Sequence, residues 1–237
     1  MDVEIKERTY ESSKTHTVRK TIYSSVIKRL LDIVLSFCAM IFLSILYLGL
    51  IVAIKIDDPG PAFFHQKRVG RKKNGEITYF KLAKFRSMKV STPSDVPTHM
   101  LDNPDQYITR VGRFLRKSSL DELPQIIHIF TGKMSIIGPR PALWNQEDLV
   151  TERDKYGAND ITPGLTGWAQ VNGRDELEIE DKAKLDGEYA ANMSFKMDAT
   201  CFFMTIGNVL KSKGVVEGGT GVMEKQMKKR EKEINNT

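Results

Sequence analysis

A chain of 237 residues is long enough for one substantial domain and short for two. Its 36 Lys and Arg against 30 Asp and Glu leave a net charge of +6. With 41% hydrophobic and 28% charged residues, a wholly disordered chain, a collagen-like repeat and a polytopic transporter are excluded. Cys38 and Cys201 lie in apolar stretches without a disulfide or metal context, which fits a reducing compartment, and His16, His65, His99 and His128 show no metal-ligand spacing.

Taken in chain order, residues 1–24 are polar and mixed in charge and read as a loosely held arm. Within the next segment, 25–56, residues 33–54 form a run of 22 without a charge. As a helix this run reaches about 33 Å, close to a hydrocarbon core of about 30 Å, so membrane contact is expected. No basic start or cleavage site marks it as a signal peptide. Its flanks are both basic: Lys28 and Arg29 precede it, and residues 55–89 hold ten Lys and Arg against Asp57, Asp58 and Glu76. Short basic flanks stay in the cytoplasm, so a helix that enters one leaflet, breaks and returns fits better than a crossing, although charge alone leaves both paths open.

The turn cluster Asp57 to Pro61 is followed by two predicted strands, Ala62 to Gln66 and Ile77 to Lys81, which form a small basic hairpin around Gly70 to Gly75. Residues 91–105 carry Pro93, Pro97 and Pro104 and read as a long functional loop. A helix is expected through Leu120 to Phe130, with Leu123, Ile126, Ile127 and Phe130 at helical spacing. Pro124 lacks an N–H and is comfortable only near a helix start, which puts Asp121 and Glu122 at that start. Phe195, Ala199, Phe202, Phe203, Ile206, Val209 and Leu210 fall on one helical stripe bordered by lysines, suited to packing on the core or lying in a lipid interface. Residues 220–237 read as a charged, solvated tail. No internal repeat is present.

Two readings stay open for Asp121 and Glu122. Ser119-Leu120-Asp121-Glu122 fits a capping box, with acids favoured at the positive end of a helix. The same adjacent pair, among Lys84, Arg86, Arg110, Arg113, Arg116 and Arg140, also suits phosphate chemistry. Arg140 is the most pointed of these cations, because Pro139 and Pro141 fix the backbone around a guanidinium able to clamp a phosphate bidentately.

Six segments in order resemble the bacterial sugar transferases, the small monotopic polyprenyl-phosphate phosphoglycosyl transferases. They are Lys28-Arg29-Leu30-Leu31-Asp32, Asp58-Pro59-Gly60-Pro61, Lys84-Phe85-Arg86-Ser87-Met88, Ser119-Leu120-Asp121-Glu122-Leu123-Pro124-Gln125, Gly138-Pro139-Arg140-Pro141 and the stretch from Pro163 to Arg174. Asp186-Gly187-Glu188-Tyr189 and Ser194 to Asp198 resemble family positions as well. The resemblance implies an α+β, mostly helical fold: a membrane-inserted, re-entrant N-terminal helix, a compact cytoplasmic catalytic domain over 57–219, a small β-hairpin and interfacial amphipathic helices. Similar enzymes carry Ser-Pro at the break of that helix, whereas this chain has Ser44-Ile45.

The resemblance further implies transfer of a sugar 1-phosphate from a UDP-sugar to undecaprenyl phosphate, with release of UMP, at the cytoplasmic face of a bacterial membrane. This is the first membrane step of a lipid-linked glycan such as an exopolysaccharide or capsule. Asp121 would be the nucleophile that forms a phosphosugar–enzyme intermediate, with Glu122 completing the dyad and Mg²⁺ as the cofactor, contacted by Asp121. Lys84, Arg86, Arg116 and Arg140, the last framed by Pro139 and Pro141, would bind phosphate. The implied partners are the UDP-sugar, undecaprenyl phosphate, membrane lipid and glycosyltransferases of the same pathway, with no nucleic acid. The alternative from another class is a non-catalytic membrane adaptor whose basic hairpin binds anionic lipid or an acidic partner. The sequence does not identify the sugar; residues 91–105 are a candidate specificity loop.

Overall fold

The computed structural model describes residues 21–92, 104–173 and 177–211, with side chains up to residue 208 in the last stretch. The first 20 residues of the arm, residues 93–103 of the Pro-rich loop, Arg174, the charged tail and the side chains of Val209 and Leu210 lie outside the described residues.

The uncharged run has no proline to stop a helix, yet it does not form one rod. A π-helical turn, Tyr23–Ile27, leads into α1 (Lys28–Phe42), and α2 (Ser44–Asp57) follows at a bend of 60°. Leu43 leaves helical geometry at φ −90° and ψ 1°, and Ser44 Oγ donates to the Ile41 carbonyl at 2.8 Å. A hydroxyl bonded back to the preceding turn is a recognised cause of helix bending, and here it acts without proline. Among the described residues no single helix is long and apolar enough to cross a membrane, whereas the bent pair meets that length and composition together. Its corner is bare and apolar, with Phe42 87% and Ile45 85% exposed.

The hairpin consists of β1 (Phe63–Val69) and β2 (Tyr79–Phe85), antiparallel with Phe63 opposite Phe85 and Val69 opposite Tyr79. Both strands end later than their sequence pattern suggests. Leu82 and Phe85 have separate buried clusters to fill, Leu82 with Ile129 and Met134, and Phe85 with Leu50, Ile54 and Leu115. That burial extends pairing to the end of β2 and makes Lys84 a strand residue. Lys73 and Glu76 exchange backbone hydrogen bonds around Asn74-Gly75, which sit at φ 51° and 84°, the geometry of a tight two-residue hairpin turn.

The expected helix over Leu120 to Phe130 is split. After α3 (Arg110–Lys117), capped by Thr109 Oγ1 accepting from the Gly112 N–H, Ser119 takes a left-handed conformation at φ 55°. A 3₁₀ turn, Leu120–Glu122, follows, and Pro124 stands immediately before α4 (Gln125–Phe130). The capping box does not form, because the Ser119 side chain makes no cap hydrogen bond and Glu122 turns to cations elsewhere. Proline therefore sets the helix start as anticipated, but the acid pair lies one turn before it.

Beyond α4, β3 (Ser135–Ile137) pairs in parallel with β4 (Gly164–Thr166), surrounded by α5 (Glu147–Asp154), α6 (Trp168–Asn172), α7 (Ile179–Asn192) and α8 (Phe195–Lys211). Ile137, Ile161, Val171, Tyr189, Ala190 and Cys201 form the main buried cluster there. On α8, Phe195, Phe202, Phe203 and Ile206 face outward while Asp198 and Cys201 face inward. The bent pair is stapled to this body by polar groups of the Lys28 to Asp32 segment. Lys28 Nζ meets Asp198 Oδ2 at 2.6 Å, Arg29 donates to the carbonyls of Ile129 and Phe130 at 2.6 and 2.7 Å, and Asp32 Oδ1 accepts the Ile136 N–H at 2.9 Å. Tyr47 Oη adds a bond to the Leu123 carbonyl. The fold is mostly helical with a small antiparallel hairpin, in line with the α+β expectation.

Candidate active site

Three chain segments meet at the acid pair. β2 brings Lys84, the 3₁₀ turn brings Asp121 and Glu122, and the loop after β3 brings Arg140. Local backbone chemistry fixes that loop. Gly138 donates to the Thr166 carbonyl and Gly164 to the Pro139 carbonyl, both at 2.8 Å. The two strands approach so closely that a Cβ on Gly164 would lie 2.1 Å from the Gly138 nitrogen, and one on Gly167 would lie 2.1 Å from the Gly138 oxygen. Only glycine fits such a backbone contact. From the other side, Arg68 donates to the Pro141 carbonyl at 3.0 Å and the Val69 N–H to the Ala142 carbonyl at 2.9 Å. The glycine-rich segment from Pro163 thus forms the seat on which the Pro-Arg-Pro loop rests.

Lys84 Nζ is 2.7 Å from Glu122 Oε1 and 3.7 Å from Asp121 Oδ2. Arg140 grips Glu122 with both terminal nitrogens, at 2.7 Å to Oε1 and 3.4 Å to Oε2. Side-chain exposure falls from 38% for Arg140 through 15% for Lys84 and 12% for Glu122 to 4% for Asp121. Arg140 stands at the rim and Asp121 on the floor. Burial alone would push the Glu122 carboxyl up, but Arg140 and Lys84 outweigh it and hold the group well below the usual carboxylate range. Glu122 is therefore the fixed counter-charge to two cations. An incoming phosphate would compete with it for the same two donors, which are suited to charge-assisted bonds.

The remaining predicted cations are placed differently. Arg86 is buried and turned toward the Asp58-Pro59-Gly60 turn, bonding the Asp58 carbonyl and lying 3.5 Å from its carboxylate. Arg116 donates to Ser87 Oγ at 2.9 Å. The structure brings Lys84, Asp121, Glu122 and Arg140 together, with Pro139 and Pro141 framing the last, while Arg86 bonds Asp58 and Arg116 bonds Ser87.

Among the described residues no three or more His, Cys, Asp or Glu side chains gather into a metal site. Mg²⁺ keeps several waters and often takes one or two protein carboxylates plus substrate phosphates. With Glu122 held by two cations, Asp121 is the carboxylate of the pair that could hold such an ion.

Sequence reasoning missed the polar groups that hold this site from behind. Arg153 donates twice to Asp186 Oδ2, at 2.8 and 2.5 Å, in a buried pair between α5 and α7. Asp198 accepts from Lys28, from Tyr23 Oη at 2.7 Å and from Tyr189 Oη at 2.6 Å. Lys28, Asp186, Tyr189 and Asp198 stand in the motif-like segments, but partners up to 175 positions apart leave no spacing signal.

Paired carboxylates bracketed by a lysine and a proline-framed arginine, beside an apolar bent helix pair, define a site for anionic, phosphate-bearing substrates. The chain belongs to the bacterial sugar transferase family, whose family model matches residues 23–212. It is 36% identical over 191 residues to the uncharacterized sugar transferase EpsL of Bacillus subtilis, a match covering 80% of this chain and 90% of that protein. To the UDP-glucose:undecaprenyl-phosphate glucose-1-phosphate transferase of Escherichia coli it is 40% identical over 188 residues, covering 76% of this chain and 39% of the relative. The exopolysaccharide production protein ExoY of Sinorhizobium fredii is 34% identical over 201 residues, covering 79% of this chain and 87% of the relative. The chain therefore spans most of the short relatives and about two fifths of the E. coli one.

Proposed function

We propose that this chain is a phosphoglycosyl transferase that moves a sugar 1-phosphate from a UDP-sugar to undecaprenyl phosphate and releases UMP. The observation that carries the reading is the convergence of Lys84 and Arg140 on Glu122, directly above the buried Asp121. The named activities of the E. coli relative and of the undecaprenyl-phosphate glucose phosphotransferase of Komagataeibacter xylinus support it.

The chemistry follows from the charges. The diphosphate enters past Arg140, which exchanges Glu122 for a phosphate oxygen, and Lys84 turns between the dyad and the substrate. An Asp121 oxygen attacks the sugar-bearing phosphorus; the bond from that phosphorus to the UMP oxygen breaks, and UMP leaves with the electron pair. An oxygen of undecaprenyl phosphate then attacks the same phosphorus and returns Asp121 as a carboxylate. Two steps replace one direct encounter of two anions, as covalent catalysis does. Glu122 holds the cations in place between turnovers, and those cations offset the charge that builds on the transferring phosphoryl group. Mg²⁺, when bound, would supply further neutralisation of the diphosphate, and Asp121 is the residue that would hold it. Arg116 bonds Ser87 through Nε only, and its terminal nitrogens are the donors it would offer a phosphate, as would Arg86 beside Asp58.

The bent pair serves as a re-entrant seat in the cytoplasmic leaflet, with Phe42 and Ile45 deepest, and the outward face of α8 lies at the same interface. The product starts a lipid-linked glycan. Membranes containing the protein, given a panel of UDP-sugars with undecaprenyl phosphate and Mg²⁺, release UMP with at least one sugar. The Asp121→Asn variant releases none, and full turnover in that variant rejects the nucleophile.

A further inference from the structure

α4 starts three residues after the acid pair, and a histidine on it hydrogen-bonds the hairpin. His128 Nε2 accepts the Ala83 N–H at 2.9 Å. Ala83 immediately precedes Lys84, whose ammonium lies against Asp121 and Glu122. Among the described residues the two-stranded sheet leaves one edge of β2 without a strand partner, and His128 takes a donor from that edge. The imidazole is buried, and the Phe80 ring meets it edge to face at 5.5 Å between centroids. To accept at Nε2 it must be neutral with its proton on Nδ1.

We propose that His128 is a positioning residue for the transfer: by accepting the Ala83 N–H, its neutral imidazole sets Lys84 against the acid pair, and protonation releases that hold. This rests on the transferase reading above. Protonation turns Nε2 into a donor facing another donor, so the bond becomes a repulsion and the end of β2 loses its hydrogen bond to α4.

The surroundings oppose that protonation at neutral pH. Burial is the main cause that lowers the His128 pKa from its ordinary 6.5, assisted by Lys133 in the turn before β3 and His65 on β1. α1 presents Arg29 to the carbonyl end of α4, and β2 carries Lys84 next to the bonded amide. β3 contributes no charged residue. The hold is complete at and above neutral pH and weakens as the pH falls below 6.5, because the unfolded or released form takes up the proton first.

The test uses the full-length protein in lipid nanodiscs. His128→Gln keeps an acceptor near the Nε2 position at every pH, and His128→Leu removes it. Wild-type UMP release should fall on the acid side below pH 6.5. His128→Gln should retain activity within about threefold at pH 7.5 and lose that acid limb, while His128→Leu should lose about tenfold in kcat with little change in KM for the UDP-sugar. Amide hydrogen exchange over residues 82–85, corrected for its intrinsic pH dependence, provides a readout independent of activity. It should be slow in wild type at pH 7.5, faster at pH 5.5, and insensitive to pH in His128→Gln. An unchanged acid limb in His128→Gln, or unchanged exchange of this segment in His128→Leu, overturns the proposal. Should His128→Leu fail to fold, the His128→Gln profile and exchange decide alone. Absence of UMP release from wild type with every UDP-sugar would instead reject the transferase reading, with the exchange result still testing the His128 bond.

Discussion

At the residue scale, the acid pair divides into unlike partners. Both are carboxylates on adjacent residues, yet Glu122 is gripped by Arg140 and Lys84 while Asp121 lies deeper, 3.7 Å from Lys84. Replacing Arg140 by Lys keeps the charge but removes the two-nitrogen grip on Glu122. A lost charge-assisted bond is worth about 1.5–3 kcal/mol, so kcat/KM for the UDP-sugar should fall roughly 10- to 100-fold. Steady-state kinetics across the sugar panel measure this directly, and an undiminished kcat/KM would remove Arg140 from the substrate path. The Glu122 carboxyl is held below its ordinary 4.5, so its contribution to stability is present above that value and is lost as the pH drops through the folded-state value. Glu122→Gln should therefore melt below wild type at pH 7, with the gap closing only below about pH 4. A gap that closes between pH 5 and 7 would mean the two cations do not hold Glu122 as described.

At the element scale, the Pro-Arg-Pro loop depends on a three-residue parallel pairing. Three residues is a short strand, and what compensates is the absence of side chains between Gly138, Gly164 and Gly167. Gly164→Ala would drive a methyl into backbone that cannot move aside, and overpacking of this kind costs about 1–3 kcal/mol or more. Its expected signature is a lower melting temperature together with lost UMP release, since Arg140 would leave Glu122. A variant with normal melting and normal turnover would show that the loop does not need this seat.

The bent pair makes a separate claim at the same scale. Ile22 and Ile56 are both exposed at its two open ends. In a Cys38→Ser background, Ile22→Cys and Ile56→Cys should both react with a membrane-impermeant maleimide applied from the cytoplasmic side. Labelling of the two from opposite sides would make the pair a crossing.

At the scale of the whole molecule, α1 and α8 are joined through one buried carboxylate. Asp198 on α8 meets Lys28, Tyr23 and Tyr189, so the membrane seat, α7 and α8 share a single polar knot. Removing one partner of a buried pair leaves an uncompensated charge and typically costs about 3–5 kcal/mol. Asp198→Asn should thus lower the melting temperature strongly in detergent, while Lys28→Met with Asp198→Leu should recover part of it. Failure of the single change to destabilise would show that the knot is dispensable.

Much of this molecule is legible in the chain itself. The apolar run, its basic flanks, the hairpin and the proline that opens α4 are local properties, fixed by charge, periodicity and the missing proline N–H, and the order of the motifs carries the family resemblance. Other features depend on contacts between distant residues. The hairpin register was settled by what Leu82 and Phe85 bury, and the capping box gave way because two distant cations bind Glu122 more strongly than a backbone N–H does. The gathering of Lys84, Glu122 and Arg140, the turning of Arg86 toward Asp58, and the His128 bond to the amide before Lys84 all join elements far apart in sequence. The residues themselves supplied the charges and the backbone restrictions; only folding could decide which charge faces which, because electrostatic and hydrogen-bond energies depend on distances that sequence spacing does not set.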